Sequence, residues 1–176
     1  MGSDPSCLRR SGPKKETMKR ILALVSLAAL SLVASSVLQA QNNPFVGTWK
    51  LNLAKSKFTG TPAPKSKTRT VVAQGNGEKV SYDGIAGDGS PISYSYTTNL
   101  DGKDVLYSGT QPFGADTIAV TRVDANSVTA VLKKGGKTLV TTKSVVSKDG
   151  KVTTNTEKGA NAQGRPINQV TVWDKQ

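Results

Sequence analysis

The chain has no histidine, and its single cysteine, Cys7, lies near the start. Without histidine, the usual neutral-pH general base and the commonest metal ligand are missing. Beyond Cys7 there is neither a thiol nucleophile nor a disulfide to staple the fold. No catalytic residue, metal site or cofactor is therefore expected, and the chain is read as a non-enzyme. Aromatic residues make up only 5% of the chain, so the position of each one carries weight. Long apolar runs are equally scarce, with one exception near the N-terminus.

That exception follows Met18-Lys19-Arg20: Ile21 to Ala34 is almost wholly apolar, and small residues continue to Ala40. The order of basic, apolar and small segments is that of a secretory signal peptide over residues 18–40. Cleavage after Ala40 leaves residues 41–176 as a single domain; Ala34-Ser35-Ser36 is a second candidate site. Four serines and Gln39 interrupt the apolar segment, which favours a cleaved signal over a retained anchor. Residues 1–17 are polar and basic and read as a non-native or mis-assigned leader, with translation starting at Met18. Cys7 lies upstream of the cleavage point and cannot be a lipid-attachment residue there. The product is expected to be secreted or periplasmic, with no membrane span after cleavage, and monomeric.

From residue 41 onward, 18 Lys and Arg stand against 10 Asp and Glu, a net charge of +8. The positive residues are scattered, and no run exceeds Lys133-Lys134. Such a distribution serves solubility and edge-strand protection, and no nucleic-acid partner is expected from it.

Turn residues set the rhythm of this segment. Gly75-Asn76-Gly77, Gly87-Asp88-Gly89, Asp101-Gly102, Gly114, Asp124-Ala125-Asn126, Gly135-Gly136, Asp149-Gly150 and Asn161 to Gly164 punctuate short runs rich in Val, Thr, Tyr and Ile. Asp-Gly, Asn-Gly and Gly-Gly pairs adopt the positive φ angles of tight hairpins. About ten strands are predicted: 48–55, 66–74, 79–85, 92–99, 105–108, 117–124, 127–133, 138–147, 152–158 and 167–174. Several alternate with period two, as Trp49, Leu51 and Leu53 do against Thr48, Lys50 and Asn52. The stretch from Lys57 to Lys65, with Gly60, Pro62 and Pro64, reads as a loop. The expected fold is all-β, an antiparallel up-and-down meander of about 8–10 strands closing into a small barrel or flattened clam, since closure removes exposed edges.

The start of this domain, Asn43-Pro44-Phe45-Val46-Gly47-Thr48-Trp49-Lys50-Leu51, resembles the opening of lipocalins and fatty-acid-binding proteins, whose first strand carries Gly-x-Trp. The resemblance implies a calycin barrel, nearer the ten-stranded type, of the exported bacterial lipocalin-like kind. In it Gly47 lets the chain bend into the barrel and Trp49 closes its floor. Fatty-acid-binding proteins also carry two short helices after strand one and a carboxylate-binding Arg-x-Tyr on the last strand. Neither is present: Gln169-Val170-Thr171-Val172-Trp173 stands at the last strand. Where lipocalins pack an Arg from the last strand on the first-strand Trp, Lys175 is the nearest basic residue.

The ten carboxylates beyond residue 40 lie mainly in or beside turns, where Asp caps local backbone. The candidate ligand-binding residues are instead aromatic: Trp49, Tyr82, Tyr94, Tyr96, Tyr107 and Trp173, together with Arg122, two residues after Val120. Amphipathic rings suit a pocket for an apolar ligand with a polar end. The leading expectation is a barrel that binds a small, partly apolar or amphiphilic molecule in its interior. The alternative is an envelope protein-interaction or inhibitor module that uses loops and strand edges around a filled core.

Overall fold

The computed structural model describes residues 43–176; the leader and signal-peptide assignments fall outside the described residues. Eleven antiparallel strands form one sheet. They are β1 (Gly47–Lys57), β2 (Ser66–Gln74), β3 (Gly77–Ile85), β4 (Pro91–Thr98), β5 (Asp101–Leu106), β6 (Ser108–Gly109), β7 (Thr117–Arg122), β8 (Ser127–Lys134), β9 (Lys137–Val146), β10 (Val152–Ala160) and β11 (Pro166–Lys175). The only helical element among the described residues is a single 3-10 turn at Pro112–Gly114. No helix among them is long and apolar enough to cross a membrane.

The hairpins follow from their turn residues. Gln74 pairs with Gly77 across Gly75-Asn76, and Lys134 pairs with Lys137 across Gly135-Gly136. Gly75, Gly135 and Gly136 have φ of 56°, 53° and 77°, a region that L side chains enter at a steric cost. Elsewhere the Asp carboxylates organise the corners: Asp88, Asp101, Asp124 and Asp149 each accept a backbone N–H two residues on, at 2.8–3.2 Å. Hydroxyl donors Ser90, Ser127 and Ser147, and the backbone N–H of Lys103 at Asp101, hold these four carboxyls below their usual value.

Strand order across the sheet is β5-β7-β8-β9-β10-β11-β1-β2-β3-β4-β6. Its two outermost members, β5 and β6, are neighbours in sequence, separated only by Tyr107. The fifth predicted strand, placed at 105–108, is thus a longer kinked segment. Its first part pairs with β7, and its last part crosses to β4 through Tyr94↔Gly109 and Ser95↔Ser108. This crossing nearly closes the barrel and leaves a slit where β5 and β4 share no ladder. First and last strands are paired too, with Leu51 opposite Trp173 and Trp49 opposite Lys175.

The inner face carries the core, including Phe45, Trp49, Leu51, Val71, Val80, Ile118, Val120, Leu132, Val140 and Trp173. Residues 43–46 lie across one end of the barrel. Asn43 Nδ2 donates to Glu78 Oε2 on β3 (3.0 Å), Arg122 Nη2 on β7 donates to Asn43 Oδ1 (3.2 Å), and Phe45 is buried. The fully buried Trp49 donates from Nε1 to the Phe45 carbonyl (2.8 Å). Gly47 sits at φ 132°, and a Cβ there would meet the Lys175 side chain at 2.8 Å. The Lys175 side chain can move aside, so it is the positive φ that favours glycine at this position.

Candidate functional site: the barrel interior

Inside the barrel is a cavity of about 460 Å³, within the range of small-molecule sites. Its mouth lies opposite the 43–46 segment, where the β1–β2 loop (Phe58, Pro62, Pro64), the β3–β4 turn, the 110–114 segment and the β10–β11 turn all contribute lining residues. Val71, Val80, Ile118, Val120, Val128 and Leu132 supply apolar wall. The strands β9 to β11 supply a polar one with Thr142, Ser144, Asn155, Glu157, Gln169 and Thr171.

Five of the seven sequence-derived candidates, Tyr82, Tyr94, Tyr96, Tyr107 and Trp173, line this cavity. Their rings are in mutual contact. Tyr82 and Tyr94 stack at 4.6 Å between centroids, and Tyr82 meets Trp173 edge-on at 5.9 Å. Tyr107 stands edge-on to Tyr94 (5.7 Å) and Tyr96 (5.6 Å), so side chains bridge β4 to the kinked segment near the slit. Burial raises the pKa of all four phenols, so they stay protonated donors at neutral pH.

The other two candidates lie elsewhere. Trp49 is outside the cavity lining, packed by Phe45. Arg122 faces the closed end, with Nη2 3.8 Å from Glu78 Oε2 and its guanidinium 5.5 Å from the Phe45 ring.

The charged interior comes from residues the sequence reading passed over. Arg69 on β2 is 4% exposed, with its guanidinium carbon 5.2 Å from the Trp49 ring and 5.3 Å from the Trp173 ring. Two residues earlier, Lys67 donates from Nζ to the Tyr94 hydroxyl (3.0 Å) and sits over the Tyr82 and Tyr94 rings at 4.9 and 5.2 Å. Desolvation lowers the Lys67 pKa to about 8, with Glu157 pulling it back up and Arg69 pushing it further down. Across the cavity, Glu157 accepts a hydrogen bond from Gln169 Nε2. Burial raises its pKa, against Gln169 and Lys67. A signal for these residues was present: Lys67, Arg69 and Val71 alternate with Thr68 and Thr70, which places both cations on the face of the buried valine.

The site offers stacking surfaces, phenol donors, two cations and one carboxyl of raised pKa. Among the described residues no group of three or more His, Cys, Asp or Glu side chains could hold a metal ion. The arrangement suits binding.

Comparisons with known proteins give little beyond this. No family model matches the chain, and no curated protein matches it at a significant level. Among solved structures, the crystal structure of zebrafish ileal bile acid-binding protein complexed with cholic acid is similar with a TM-score of 0.44 and 12% identity, covering 76% of this chain and 99% of that one.

Proposed function

We propose that this chain is exported by the signal at residues 18–40 and that its barrel binds a small, partly apolar molecule in the interior, without catalysing a reaction on it. The observation that carries this reading is the cavity of about 460 Å³ lined by Tyr82, Tyr94, Tyr96, Tyr107 and Trp173. A barrel needed only as a scaffold gains nothing from this space, because unfilled interior forfeits packing contacts. The alternative, an interaction module acting through loops and edges, called for a filled core. Exposed apolar residues such as Leu106 and Val72 are scattered among polar ones, which is ordinary for a protein surface.

The test is titration of the domain 41–176 with N-phenyl-1-naphthylamine, an uncharged fluorescent probe, alongside native mass spectrometry of freshly purified protein. Saturable fluorescence with one site per chain is expected. Absence of probe binding, combined with no co-purified small molecule, would overturn the reading.

A further inference from the structure

Lys67 is the only lysine that lines the cavity among the described residues. It is the second residue of β2, opposite Gly84 of β3, beside the loop and turn that border the mouth. The side chain is not sealed into the wall, since part of its surface stays accessible. Its Nζ donates to the Tyr94 hydroxyl at 3.0 Å and otherwise lies over the Tyr82 and Tyr94 rings.

A lysine kept for its charge is paired with a carboxylate or reaches out to water. Lys67 does neither. The ion pairs among the described residues leave it out, and Glu157 acts on it only from beyond ion-pair distance. Apolar surroundings disfavour an ammonium and free the lone pair of the amine, which makes a lysine nucleophilic. Desolvation, against Glu157 and helped by Arg69, brings Lys67 to about 8. At pH 7 its neutral amine is then on the order of a hundredfold more populated than that of an exposed lysine.

We propose that Lys67 captures an aldehyde ligand as a reversible imine, with the aldehyde carbon at Nζ near the mouth and the apolar body of the ligand reaching inward. This deepens the interior-ligand reading and rests on it. Val71 and Val80, paired across β2 and β3 further down the barrel, supply wall for that body.

In the step, the Nζ lone pair forms the new C–N bond as the carbonyl π pair moves to oxygen. Both hydrogens of the neutral amine then leave with that oxygen as water, and a C=N bond remains. No oxidant, reductant or cofactor enters. Tyr94, whose hydroxyl touches Nζ and which burial keeps protonated, is placed to donate to the departing oxygen. Water reverses the step and the ligand leaves unchanged, so capture is binding and not turnover.

The test treats the purified domain 41–176 at pH 7 with 6-methoxy-2-naphthaldehyde and sodium cyanoborohydride, which reduces an imine to a stable amine. Adducts are located by peptide mass spectrometry. Lys67 is expected to be labelled at least about tenfold faster than any other lysine. 2-Methoxynaphthalene, the same ring system without the carbonyl, should protect Lys67 alone. Lys67→Arg keeps a cation beside the rings but has no amine to condense, and it should lose this adduct while surface lysines still react. Site mapping on the unaltered domain decides even if that variant fails to fold. Equal labelling of Lys67 and the surface lysines overturns the proposal. So does a Lys67 adduct that is absent, or that 2-methoxynaphthalene leaves untouched, in protein that takes up N-phenyl-1-naphthylamine. Loss of that probe's binding overturns the interior-ligand reading itself.

Discussion

At the scale of single residues, Lys67 and the tyrosines bias stability in opposite directions along the pH axis. Burial brings the Lys67 ammonium down to about 8 in the folded protein, against 10.5 for an unperturbed lysine. Between those values the unfolded chain binds more protons, so stability rises with pH. The phenols have folded pKa values above 10. Their contribution is complete below pH 10 and is lost as the unfolded chain ionises above it. Urea unfolding should therefore show a gain of about 1–2 kcal/mol between pH 7.5 and 9.5, followed by a decline past pH 10. In Lys67→Met the rise should vanish while the decline persists. A rise of the same size in that variant would show that Lys67 is not its source.

At the scale of elements, the sequence spoke clearly wherever a turn had a local cause. Nearly every predicted strand lies within two residues of an observed one, because Asp-Gly, Gly-Gly and Gly-Asn corners need positive φ or side-chain caps that only those residues supply. The fifth strand was less legible. Its division at Tyr107 depends on two different partners, β7 and β4, and pairing across the closing barrel leaves no mark in the local pattern. The interior was half legible for a related reason. Tyr94 and Tyr96 share a face with the buried Thr98, and their rings point to a pocket. Lys67 and Arg69 look like solvated charges until the buried Val71 beside them fixes which way β2 faces.

Gly109 is the residue that permits the crossing. Its φ is 92°, and a Cβ there would collide with the Ser93 carbonyl oxygen. That same oxygen accepts the Thr110 N–H at 2.8 Å and the Thr110 hydroxyl at 2.8 Å. Gly109→Ala is expected to destabilise the domain by about 1–3 kcal/mol through backbone strain. Hydrogen exchange should accelerate first at Thr110 and Ser93, whose amides bond across this contact, while β8 to β10 stay protected. Uniform loss of protection would mean that the β4–β6 contact is inseparable from the rest of the sheet.

At the scale of the whole molecule, closure has three parts: pairing of β1 with β11, the crossing at Gly109, and residues 43–46 across one end. Loops line the other end, so the interior is a cup with one mouth. Whether that cup is a binding site or a packing imperfection can be decided by filling it. Ala130 on β8 lines the cavity between Val128 and Leu132 on the same face, and its alanine leaves the wall shallow there. In a well-packed core, Ala130→Phe would force neighbours off their rotamers at a cost of about 1–3 kcal/mol. In a cavity of about 460 Å³ the added ring has room, so the midpoint of urea unfolding should hold or rise. Binding of N-phenyl-1-naphthylamine should weaken by about tenfold or more, since the ring takes ligand volume. A destabilised variant with unchanged probe affinity would mean that the probe binds outside the barrel and that the interior is ordinary core.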